Sequence, residues 1–193
     1  MAANPGATVV TVTAGRPGPH PLTDWDRQCG FHEGDDVVGA RRKEDEAALA
    51  LLGAHPRWLG FLDRQYGPQP AHEELVAAIT EVVAGAGMVA SPLGLFHEDH
   101  LVIARACFEV ARQTSPVAGW YLYEDVIYRP VAGRTEQAIA ALENDGFVLS
   151  PTSFPEPAAK ANAIQAYPSQ VLGLGHQMED AYRPERYWKL TVR

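Results

Sequence analysis

Apolar positions along the chain follow two periods. Residues 7–15 carry β-branched side chains at nearly every position, the pattern of a strand covered on both faces in a parallel sheet, and Gly15 ends it. Over residues 37–52 the apolar positions fall at helical spacing, with Asp35 or Asp36 placed to cap the start and Gly53 to stop the end. The alternation continues through a short strand at 58–63, a helix at 72–84, a strand at 87–91 and a helix at 101–113. A strand at 117–123, a helix at 135–144, a strand at 146–150, a helix at 158–172 and a terminal strand at 187–192 complete it. Strands alternating with helices, and strands too apolar to face water on one side, predict a doubly wound, mostly parallel α/β sheet. Residues 16–35, rich in Pro, Gly, Asp and His, read as a long loop at a strand's C-terminal end, a place where loops carry function.

In open α/β sheets ligands bind at that end of the strands. Asp63, the segment around His97, and Glu124 with Asp125 all fall there. The run Pro92-Leu93-Gly94-Leu95-Phe96-His97-Glu98-Asp99-His100 is where histidines, carboxylates and a turn converge, and it leads into the apolar-periodic helix. His97 and His100 stand three apart, so on a first helical turn they share one face and can serve one metal ion or one substrate. Glu98 and Asp99 equally suit the partial positive charge of a helix N-terminus. Spacing alone does not separate a site from a polar helix start with two solvated histidines. Arg41 with Glu44, and Arg42 with Glu46, read as surface ion pairs worth a few tenths of about 1 kcal/mol each. His20, His32, His55 and His72 fall in loops or at helix ends as solvated residues, and His176 follows a Gly-rich segment.

At 193 residues the chain fits a single domain with a core that needs no staples. Two cysteines, Cys29 and Cys107, are too few for a disulfide framework. With no apolar run of membrane length, the sequence suggests a cytoplasmic protein. A formal charge of −8 disfavours nucleic acid and anionic membranes as partners and leaves small molecules.

Several motifs, in this order and at these intervals, carry a family resemblance: Ala7 to Gly15, Arg41-x-x-Glu44 running to Leu52-Gly53, and Gly60-Phe61-Leu62-Asp63. They continue with Pro92-Leu93-Gly94 before His97-x-Asp99-His100, then Tyr123-Glu124-Asp125 and Tyr167-x-Ser169-Gln170. The chain resembles the PIG-L, or LmbE-like, family of zinc-dependent de-N-acetylases, which implies a three-layer Rossmann-like fold. By that resemblance His100 is a zinc ligand, His97 and Asp99 are catalytic, and Arg41 and Asp63 contact substrate. The implied reaction removes an N-acetyl group from an amino sugar or related amide with zinc-activated water, and relatives often form homo-oligomers.

The family's first strand ends in a His-Pro-x-Asp-Asp or His-x-x-Asp-Asp motif that supplies two zinc ligands and the carboxylate base. This sequence has no such motif and begins where the family's second strand begins, Met1 to Gly6 resembling the tail of the preceding helix. The resemblance therefore predicts an N-terminally truncated sheet with unpaired strand edges, marginal stability, weak zinc binding and negligible hydrolysis. A catalytically dead homologue that binds sugar or assembles with a partner is the alternative.

Overall fold

The computed structural model describes residues 6–114 and 119–193. In chain order the elements are β1 (Thr8–Thr11), α1 (Asp24–Gln28), α2 (Val37–Leu51), β2 (His55–Trp58), α3 (His72–Val83), β3 (Met88–Pro92) and α4 (Glu98–Thr114). They continue with β4 (Gly119–Tyr123), α5 (Arg134–Asn144), β5 (Phe147–Thr152), α6 (Lys160–Gln165), α7 (Pro168–Leu174), a 3₁₀ helix (Gly175–Tyr182) and β6 (Tyr187–Val192). They form two compact units, one of Met1–Gln69 with Pro155–Pro184, the other of Pro70–Phe154 with Glu185–Arg193.

In the first unit β1 and β2 pair in parallel, Thr8 opposite His55 and Thr11 opposite Trp58. The second strand therefore starts directly after the α2 turn and ends at Trp58, where the expected 58–63 strand begins. Gly60 meets Thr13 in an isolated antiparallel bridge, Asp63 lies in the following loop, and His55 is a strand residue. Gly15 has no room for a side chain, because an added Cβ would stand 2.3 Å from the Gly60 carbonyl oxygen. The segment 16–35 holds α1, whose cap Thr23 accepts the Asp26 N–H at 3.0 Å. Asp36 caps α2 by accepting the Gly39 N–H at 2.9 Å. The Arg16 guanidinium, bonded to Asp36, holds that carboxyl below the usual range. The expected helix at 158–172 is broken in two. Pro168 lacks an N–H and disfavours helical backbone at the preceding residue, and Tyr167 adopts φ −107° and ψ 63°.

In the second unit the sheet order is β3-β4-β6-β5. β3 and β4 are parallel, whereas β6 runs antiparallel to both neighbours, so this sheet is mixed and not mostly parallel. The terminal segment folds back between β4 and β5 and reverses the direction that a βαβ crossover imposes. Residues 117 and 118 of the expected 117–123 strand lie outside the described residues. Trp120, Leu122, Leu190, Phe147 and Leu149 are buried on one sheet face. α4 covers that face, with Phe108 6.1 Å from Phe147 and the Arg112 guanidinium 4.4 Å over the Phe147 ring. Burying a phenylalanine this fully contributes about 2–3 kcal/mol. The opposite face carries Met88 and Val148, 40% and 39% exposed, so these strands alternate and do not bury both faces.

Candidate functional site

Two polar constellations stand out, one in each unit. In the second unit, β3 ends in a turn at Leu93 and Gly94 before α4. Gly94 has φ 78°, and a Cβ there would come 2.8 Å from the Ala104 side chain, so the turn requires glycine. Glu98 and Asp99 fill the first turn of α4, and the His97 carbonyl accepts the Leu101 N–H at 3.0 Å. His97 and His100 do share a face, their rings 5.7 Å apart. His97 Nδ1 lies 3.9 Å from the buried Asp99 carboxylate.

The residue that organises this turn is Asp125, just past β4 and fully buried in its side chain. One oxygen meets His100 Nδ1 at 2.5 Å, and the other accepts the Gly94 and Leu95 N–H groups at 2.9 Å each. A carboxylate only accepts, so Nδ1 is the donor and Nε2 is left as the acceptor nitrogen of a half-exposed ring. The Tyr128 ring stands edge-on to His100 at 5.9 Å, and its hydroxyl pKa is raised, first by burial and then by Asp125. The adjacent Glu124 is equally buried but serves other partners. It takes the Arg186 guanidinium at 2.6 Å and the Trp188 indole N–H at 3.0 Å.

In the first unit a cleft of about 250 Å³ is lined by residues that include Arg41, Asp63, Trp25, Trp58, Asp45 and Tyr167. Arg41 points inward to the fully buried Asp26 at 3.0 Å and donates to the Tyr66 hydroxyl at 3.2 Å. Tyr66 in turn donates to Asp26 at 2.9 Å. Burial, joined by Asp26 and opposed by Arg41, raises the Tyr66 pKa. Asp63 uses one oxygen to accept the Gln65 N–H at 2.9 Å. Asp45 accepts from Thr11, the Trp58 indole and the Tyr167 hydroxyl at 3.1, 2.8 and 2.6 Å. Glu44 accepts from both the backbone N–H and the hydroxyl of Ser169. Arg41 and Glu44 thus make separate internal bonds, to Asp26 and to Ser169, rather than the expected surface pair. Arg42 likewise donates to the Ala14 carbonyl and stacks 5.1 Å over Trp58.

Sequence reasoning placed Asp125 on the right edge but did not join it to His100. An acidic pair directly after an apolar strand was the available signal. Asp45 could have been read from its place on one face of α2 with Val38, Arg41 and Arg42, at positions i, i+3, i+4 and i+7. Asp26 gave no signal, since an acid in a Pro/Gly-rich loop reads as solvated.

The zinc ion implied by the resemblance needs three protein ligands and an open position. Among the described residues no three His, Cys, Asp or Glu side chains gather to hold a metal ion. His100 offers one nitrogen, while both Asp125 oxygens are already occupied. The residues described do not fit a catalytic zinc.

No protein-family model and no curated protein matches the chain. Solved structures do. The A40926 pseudoaglycone deacetylase Dbv21 shares 26% identity at a TM-score of 0.71, covering 97% of this chain and 86% of that one. The zinc-inhibited form of teicoplanin deacetylase Orf2 shares 22% at 0.75, covering 96% and 87%. A deacetylase–teicoplanin complex shares 24% at 0.72, again covering 96% and 87%. The chain therefore has the mixed α/β fold of these deacetylases.

Proposed function

We propose that the chain is a hydrolase of the deacetylase type, directed at an N-acetyl group on an amino sugar or related amide. The observation that carries this reading is the match over 97% of the chain to the A40926 pseudoaglycone deacetylase at 26% identity. Two features support it. The cleft in the first unit combines aromatic walls, Trp25 and Trp58, suited to stacking on a sugar ring, with Asp63 to accept from its hydroxyls and Arg41 among the lining residues. His100, fixed by Asp125, presents one aimed nitrogen beside the exposed His97. Amide hydrolysis needs a proton for the leaving amine, and in this reading His97 supplies it, with Asp99 beside it as orienting carboxylate. Within the first unit Asp63 is the substrate-side carboxylate of the cleft, and Arg41, held by Asp26 and Tyr66, lines the wall beside it.

Because the described donors do not complete a zinc site, the isolated chain turns over little. Elemental analysis and acetate release from N-acetylglucosaminyl glycosides test this together. The expected outcome is sub-stoichiometric zinc, acetate near background, and saturable sugar binding that Asp63→Ala weakens. Stoichiometric zinc with chelator-sensitive acetate release overturns the low turnover, and absence of sugar binding overturns the reading itself. A sugar-binding homologue without chemistry is the second reading, favoured because no three His, Cys, Asp or Glu side chains among the described residues gather to hold a metal ion. An in-frame His-x-x-Asp-Asp segment in the coding sequence upstream of Met1 supports the hydrolase, and an in-frame stop there supports the binding protein.

A further inference from the structure

In the first unit one carboxylate that the proposed reaction leaves unused gathers donors from three other segments. Asp45, on α2, accepts the Thr11 hydroxyl at 3.1 Å and the Trp58 indole N–H at 2.8 Å, both on Oδ2. Its Oδ1 accepts the Tyr167 hydroxyl at 2.6 Å. Thr11 and Trp58 are the last facing pair of the β1–β2 ladder, so a single oxygen joins the ends of both strands. Burial, followed by the bond to Asp45, raises the Tyr167 pKa and keeps that hydroxyl a donor at neutral pH. All four residues line the cleft of about 250 Å³.

A tryptophan at the end of a two-stranded ribbon has little around it to fix its ring. Asp45 holds the edge of the Trp58 indole, and the Arg42 guanidinium stands 5.1 Å over the ring. A side chain ordered before a ligand arrives loses little entropy when the ligand binds. The bond to Asp45 has a second effect. An indole N–H is a donor only, with one proton to give. Asp45 takes that proton, so Trp58 has its ring left to offer. Tyr167 braces the same carboxylate from its other oxygen and stops it turning away.

We propose that Asp45 is a positioning residue of the cleft: by holding the Trp58 indole N–H it makes Trp58 a stacking surface for the apolar face of a sugar ring rather than a hydrogen-bond donor to its hydroxyls. Asp45 acts through Trp58, and Tyr167 acts through Asp45. This role rests on the reading of the first unit's cleft as a sugar site.

Titration calorimetry of the full chain with the methyl glycoside of N-acetylglucosamine tests it. Asp45→Asn should weaken binding about three- to tenfold. Tyr167→Phe should weaken it by a smaller factor, and it carries the test if Asp45→Asn does not fold. Trp58→Phe keeps a ring without the N–H and should stay within about threefold of wild type, whereas Trp58→Leu should lose about tenfold. Added to Trp58→Leu, Asp45→Asn or Tyr167→Phe should cost less than about twofold more, a coupling that general loss of stability would not produce. Wild-type binding that Asp45→Asn and Tyr167→Phe leave unchanged overturns the role of Asp45 alone. So does a loss of the same size in the Trp58→Leu background, or a Trp58→Phe variant that binds as weakly as Trp58→Leu. No binding by the wild-type chain overturns the sugar reading of the cleft, and this role with it.

Discussion

Asp125 does the work of several residues with one carboxylate. Its two oxygens serve an imidazole and two backbone amides, all from segments some thirty positions earlier in the chain. In Asp125→Asn the side-chain amide must turn its NH₂ either toward the two N–H groups or toward Nδ1, so one side loses its acceptor. We expect about 1–3 kcal/mol of lost stability in urea, together with disappearance of the hydrogen-bonded Nδ1 proton of His100 in NMR spectra. Arg41 poses a different problem. The resemblance offers it to substrate, yet its guanidinium is tied to the buried Asp26, to Tyr66 and to the Cys29 sulfur. Arg41→Ala strands a carboxylate with no exposure and is expected to cost about 3–5 kcal/mol. A variant that melts like wild type sinks the structural role. The facing of His97 and His100 was legible because a three-residue spacing fixes it on any helix. The partners of His100 and Arg41 were not, because they come from distant segments that no local pattern connects.

Elements were legible wherever periodicity and a stop signal agreed. Asp36 caps α2 as its position implied, and β6 spans the expected terminal strand at 187–192. Errors came where one residue outweighed the period, as at Pro168, or where pairing decided the register, as at β2. Between β3 and α4 the glycine turn is the sensitive joint. Gly94→Ala combines an unfavourable φ with a contact at 2.8 Å, and we expect a loss of about 1–3 kcal/mol in thermal or urea melts. α4 also packs Cys107 beside Ser91 of β3. Burial, partly opposed by the Ser91 hydroxyl, pushes the thiol from its ordinary 9.0 up to about 12. Because the folded pKa is the higher one, this contribution is whole below pH 9 and drains away as the pH climbs toward 12. The buried tyrosines drain in the same direction, so the measurement is comparative. Between pH 8 and 11, Cys107→Ala should lose less urea stability than wild type, and parallel curves would refute the assignment.

At the scale of the molecule, α/β character was readable from alternation, but the division into two sheets was not, since strand order depends on which edges meet. β4 and β6 have neighbours on both sides, whereas β1 and β2 make a two-stranded sheet with one ladder between them. Such a ribbon is marginal alone. Native-state hydrogen exchange should therefore find amides of β4 and β6 at least about tenfold slower than those of β1 and β2, and uniform protection would contradict that ranking. β3 carries a consequence for the protein in solution. Its ladder runs to β4 on one side, and among the described residues no strand pairs with the other. A second molecule can add itself to that row of amides, beside the exposed Met88. At low ionic strength the formal charge of −8 on each copy opposes the encounter. Added salt shortens the reach of that repulsion, so concentrated, salty samples should scatter light through edge-to-edge clustering before they unfold.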